Sequence, residues 1–189
     1  MTPEAALHDI AARLSARGVR FALVGGLAVS VRAEVRFTQD VDLAVAVASD
    51  AEMESLVRDL GRDGFDLVAV VEQDDRKRLA IARLAGPSGV VIDLLAASSG
   101  IEAEIVAGAT TTPVFADVPI ARAEHLLAMK VLSMRDERLQ DRIDALGLLS
   151  TGLDLGEVRR CLDLIDERGY ARGQDLRAKL DALLAARRG

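Results

Sequence analysis

Two aspartates one residue apart, Asp40 and Asp42, open the apolar run Leu43-Ala-Val-Ala-Val47. On a strand, residues i and i+2 share a face, so both carboxylates point the same way. Held side by side, they resist joint ionisation unless a cation lies between them. Magnesium takes oxygen ligands and is usually held by one or two protein carboxylates together with substrate phosphates. The spacing therefore predicts metal-assisted phosphoryl or nucleotidyl transfer. A third acid, Asp93, stands inside Val90-Val-Ile-Asp-Leu-Leu95. An ionised carboxylate in such a run is expensive unless it is paired or bound to metal. If its strand lies beside that of Asp42, three carboxylates gather. Two ions can then share them, one activating the attacking hydroxyl and the other holding the leaving group. A buried pair with an arginine is the alternative for Asp93.

The pair Gly25-Gly26 falls between an apolar run and a helical pattern. Free backbone N–H groups and the helix dipole at such a turn favour phosphate. Glycine also permits close backbone approach. The same turn serves packing alone in many folds. Neither G-x-x-x-x-G-K-[ST] nor G-x-G-x-x-G is present, which disfavours a P-loop enzyme or a dinucleotide-binding Rossmann domain.

These residues need elements to hold them. Thr2 and Pro3 mark a helix start, with Gly18 as its stop. Residues 19–24 read as a buried strand, 27–35 as a helix and 41–47 as a second strand. On that strand Asp40, Asp42, Ala44 and Ala46 share one face; the small alanines are expected to leave room beside the acids. Ser49-Asp-Ala-Glu52 is a capping box for a helix ending near Gly61. Strands are expected over 65–71, 78–84 and 90–95, with turns at Asp74-Asp75 and Gly86-Pro-Ser-Gly89. Ser99-Gly-Ile-Glu102 is a candidate cap for a short helix, and one or two short strands are expected before Pro119. Helical spacing then predicts helices near 122–134, 137–149, 155–168 and 174–187. Asp154-x-x-Glu157 is an N-cap pair and Gly169 a C-cap. The fold class is thus α/β: a mixed-sheet core over 1–120, followed by a helical C-terminal part over 121–189 packed on it.

Composition agrees with this. The 189 residues are 50% apolar and 3% aromatic, so the core must be built from Val, Leu, Ile and Ala. A net charge of −6 argues against generic polyanion binding but leaves a local basic face open. The single Cys161 excludes an intramolecular disulfide and fits a reducing, cytoplasmic compartment. Met-Thr-Pro-Glu-Ala-Ala lacks the pattern of a signal peptide, and no apolar stretch is long enough for a bilayer. His8 and His125 show no ligand spacing, and Cys161 reads as core rather than nucleophile.

Gly25-Gly26, then Arg36-x-Thr38-x-Asp40-x-Asp42-Leu43, then a later acid on a strand, resembles the polymerase-β-like nucleotidyltransferase superfamily. Within it the chain is most similar to the AbiEii-like toxins of bacterial type IV toxin–antitoxin systems, including the MenT group. The pattern continues in Glu124-His-Leu-Leu-Ala-Met-Lys130 and Arg138-Leu-Gln-Asp141-Arg-Ile-Asp144, and spans about residues 19–150. The resemblance implies an Mg²⁺-dependent transfer of an NMP from an NTP to an acceptor hydroxyl, with two ions and release of pyrophosphate. Asp40, Asp42 and Asp93 would be metal ligands, and Asp93 would help to deprotonate the acceptor. Gly25, Gly26, Arg36 and Thr38 would contact the triphosphate; Lys130 and Asp141 would contact the nucleotide. The turn here is Gly-Gly-Leu-Ala where the superfamily commonly has Gly-Ser, so Thr38 is the hydroxyl at hand. The resemblance further implies tRNA, or a protein, as acceptor and an antitoxin as partner. A small-molecule acceptor, as in antibiotic nucleotidyltransferases, is the enzyme alternative. A non-catalytic interaction module of the same fold is the other. For Lys130 a snorkelling side chain competes with the site role, and for Asp141 a surface pairing with Arg138.

Overall fold

Thr2 accepts the Ala5 N–H at 3.4 Å and Pro3 fixes the first helical φ, so α1 (Pro3–Ala16) starts where cap and proline coincide. The computed structural model describes residues 2–33, 37–73, 77–135, 137 and 139–187. The expected turn at Asp74-Asp75 lies outside the described residues. After α1 come β1 (Phe21–Val24), α2 (Gly25–Arg32), β2 (Val41–Val45), α3 (Asp50–Arg62), β3 (Asp66–Gln73), β4 (Arg78–Ala85) and β5 (Val91–Leu95). They are followed by α4 (Glu102–Gly108), β6 (Thr110–Thr112), β7 (Phe115–Ile120) and four helices, α5 (Ala123–Ser133), α6 (Leu139–Leu149), α7 (Leu155–Glu167) and α8 (Leu176–Ala186).

The seven strands form one mixed sheet in the order β3-β4-β5-β2-β1-β7-β6. β1 is antiparallel to β2, β2 parallel to β5, and β5 antiparallel to β4. The expected α/β class with a mixed sheet is therefore what the chain adopts. One apolar cluster runs from Leu7 on α1 through Leu23, Leu43 and Leu94 in the sheet to Leu127, Ile165 and Leu183 on the last helices. Among the described residues no helix is long and apolar enough to cross a membrane.

Local chemistry explains the boundaries. Ser49 accepts the Glu52 N–H, while the Glu52 carboxylate accepts from Ala48 N–H at 2.7 Å, which closes the start of α3. Asp154 accepts from Gly156 and Glu157 and starts α7; Gly169, at φ +75°, ends it. Two expectations need correction. Helix α2 begins at Gly25, two residues early, with the left-handed first glycine turning the chain directly from β1 into the helix. The face of β2 bearing Ala44 is not open: Ala44 is fully buried, since β2 is central and packs against α2 and α4. Room exists only at the Asp42 end.

Candidate active site

Strand register assembles the site. Val24, Asp42, Asp93 and Arg83 are successive partners across β1, β2, β5 and β4, so they form one row on one face of the sheet. Asp42 and Asp93, distant in sequence, are thus direct neighbours on parallel strands. Burial pushes the Asp42 carboxyl up to about 6; Asp93 adds to this, while Lys130 and the Gly26 N–H oppose it. The strand of Asp93 does lie beside that of Asp42, and Asp93 is also paired with an arginine. Arg83 donates from Nε to Asp93 Oδ1 at 2.8 Å and from Nη2 to Oδ2 at 2.7 Å, a bidentate fork.

Gly25 is required twice over. Its φ is +64°, and a Cβ built there would lie 1.9 Å from Asp42 Oδ2. The Gly26 N–H donates to the same Asp42 carboxylate. The glycine pair therefore fits against the first acid of the row, at the N-terminus of α2.

A cavity of about 740 Å³ opens at this row, lined by Val24, Asp42 and Arg83, with the buried Asp93 behind them and outside the lining. Gly25, Gly26 and Asp42 line one end; Lys130 and Met129 of α5 and Asp141 of α6 cover it. Lys130 Nζ lies 2.8 Å from Asp141 Oδ1 and 2.7 Å from Asp144 Oδ2. Snorkelling is thereby replaced by a buried ion cluster, and Asp141 is no surface acid. Asp144, quoted in the family pattern without a role, is the second partner of Lys130 and also accepts from Gln140 at 2.7 Å. Arg83 is a site residue that sequence reasoning left out. A capable reading of residues 78–84 as a strand shows an arginine there but not that register aims it at Asp93.

The remaining expectations divide. Asp40 is exposed and precedes β2, outside the cavity lining, although its charge still raises the Asp42 pKa. Thr38 is half-buried and does not line the cavity. Arg36 lies outside the described residues. Elsewhere, His125, Glu157 and Cys161 bring ligand-type atoms within 4.8 Å of one another between α5 and α7. Burial pushes the Cys161 thiol up to about 11, and Glu157 is forked by Arg160, so this group packs as a protonated thiol beside an ion pair.

The donor set at the row is all oxygen, which suits magnesium rather than a softer metal. Asp42 fits such a role, because the missing Cβ of Gly25 leaves its oxygen space. Asp93 would share its carboxylate between an ion and Arg83.

A family model described as the nucleotidyl transferase AbiEii toxin of type IV toxin–antitoxin systems matches residues 9–188, and the chain belongs to that family. Its fold is similar to lincosamide antibiotic adenylyltransferase LnuA in its lincomycin-bound structure, at TM-score 0.52 and 14% identity over 79% of this chain and 98% of that one. It is likewise similar to the antibiotic-resistance factor ANT(2'')-Ia, at TM-score 0.52 and 19% identity over 87% of this chain and 91% of that one. No curated protein matches the chain.

Proposed function

We propose that this nucleotidyltransferase moves an NMP from an NTP onto a hydroxyl of tRNA, as the toxin of a cytoplasmic toxin–antitoxin pair. The observation that carries the chemistry is the Asp42–Asp93 row beside the Gly25-Gly26 turn, under a lysine-bearing helix. The acceptor oxygen attacks the α-phosphorus, the bond to the bridging oxygen of the β-phosphate breaks, and pyrophosphate leaves. Asp42 and the exposed Asp40 would hold magnesium, with Asp93 as the third, shared ligand. Bound there, magnesium supplies charge neutralisation for the phosphates and lowers the pKa of the attacking hydroxyl. Asp93 receives the hydroxyl proton, and Arg83 keeps its carboxylate oriented. The N–H groups at the start of α2 face the departing phosphates, and Lys130 adds positive charge near them. Thr38 and Arg36 are proposed triphosphate contacts from the segment before β2.

The antitoxin partner rests on the family description, and the tRNA acceptor on the family resemblance of the sequence motifs. A small hydroxylated acceptor is the second reading, supported by a cavity whose size suits a small ligand. Incubation of the purified protein with each labelled NTP, total tRNA, a protein extract and Mg²⁺ separates the readings. The expected result is labelled RNA and released pyrophosphate, abolished by chelation. Label in protein alone, or none in RNA, contradicts the acceptor assignment.

A further inference from the structure

A groove of about 600 Å³ runs between the α5–α6 connection and α8, lined by Met134, Arg135, Glu137 and Arg142 on one side and Lys179 on the other. It shares a wall with the Asp42 cavity. Ser133 and Asp141 line that cavity, and the next residue of each, Met134 and Arg142, lines the groove. Successive residues on a helix point about 100° apart, so α6 presents Asp141 to one space and Arg142 to the other. The groove lining carries three cations and one acid, in a chain that has 24 basic and 30 acidic residues. Its charge is thus locally opposite to that of the molecule. Elsewhere arginines are taken up by carboxylates: Arg83, Arg168 and Arg177 are each held in a bidentate fork. Arg135 and Arg142 are exposed and make no ion pair with a described residue. Lys179 Nζ donates to the Val131 and Met134 carbonyls and to Gln174, which fixes its charge in the groove. A guanidinium matches phosphate with two parallel N–H donors and is more weakly hydrated than an ammonium.

We propose that this groove binds the phosphate backbone of the RNA acceptor, with Arg135 and Arg142 as the phosphate contacts. A small acceptor fits within the Asp42 cavity, whereas a polymer that places one hydroxyl there continues outside it, and the groove begins one residue away. The assignment rests on the nucleotidyltransferase reading with an RNA acceptor given above. Binding of total tRNA over a salt series, with steady-state transfer and thermal melts, tests it in the double variant Arg135→Gln/Arg142→Gln. A second double variant, Arg58→Gln/Arg62→Gln, removes the same charge from the exposed side of α3. The expected result for the groove variant is a Kd and a KM for tRNA raised about tenfold or more, and a dependence of log K on log salt that is shallower by about 1–2. Its KM for NTP and its Tm stay at wild-type values, and the α3 variant binds tRNA as the wild type does. Wild-type affinity in the groove variant, or an equal loss in both variants, overturns the groove while leaving the transferase reading intact. A wild-type protein that labels another acceptor and has no affinity for tRNA overturns the groove and the RNA acceptor together. One that transfers nothing, yet binds tRNA through the two arginines, supports the groove and refutes the transferase reading alone.

Discussion

Gly25 and Asp42 cannot be altered independently. An alanine at position 25 would have to occupy a left-handed φ and share space with Asp42 Oδ2. Gly25→Ala is expected to lower stability by about 1–3 kcal/mol and to abolish transfer, measured by denaturant melts and turnover on the same preparation. Asp42 itself carries a cost in the metal-free protein. Its folded pKa of about 6 lies above the ordinary value of 3.8, so the folded state binds its proton more tightly than the unfolded chain does. Stability then falls as pH rises from about 4 to about 6, and the full penalty stands above that window. At 1.36 kcal/mol per pH unit it is at most about 3 kcal/mol, and Asp42→Asn should recover part of it at pH 7.5 and none near pH 4. Equal melting of the two proteins at pH 7.5 would contradict a strained carboxylate. Mg²⁺ should raise the Tm of the wild type and leave that of Asp42→Asn nearly unmoved.

Helices α5 and α6 are joined by charge as well as by apolar packing. Lys130 stands between Asp141 and Asp144, with side-chain exposures of 13%, 12% and 1%. Removing the cation leaves two buried carboxylates facing each other, so Lys130→Met is expected to cost about 3–5 kcal/mol of stability. It should also lower kcat/KM per folded molecule, because Lys130 contributes positive charge at Asp42. Melts and single-turnover rates at a temperature where the variant is folded separate the two effects. Wild-type kcat/KM in the folded fraction would leave Lys130 a purely structural ion. Elements of this kind were legible one at a time: Thr2, Ser49, Asp154 and Gly169 announce the ends they make, and the last four helices fall within two residues of their expected bounds. Their mutual contacts were not. Lys130 reaches Asp144 across an interhelical turn that periodicity does not describe.

In the whole molecule, the order of strands decides what meets what. Sequence spacing shows Asp40-x-Asp42 and an acid in an apolar run, and the conditional statement about neighbouring strands is met, since β2 and β5 are adjacent and parallel. Arg83 escaped because its partner is fixed by the register of the β4–β5 hairpin. The motif places Asp40 and Thr38 beside Asp42, and the strand begins only at Val41, so both stand before it at the rim of the cavity. The central claim is that the Asp42 end of the sheet performs nucleotidyl transfer. The most direct measurement is incorporation of labelled NMP into tRNA by wild type and by Asp42→Ala, each checked for folding by its melt. The account predicts Mg²⁺-dependent incorporation by the wild type and a loss of at least about 10³-fold in a variant that melts no lower. Wild-type incorporation by well-folded Asp42→Ala would contradict it.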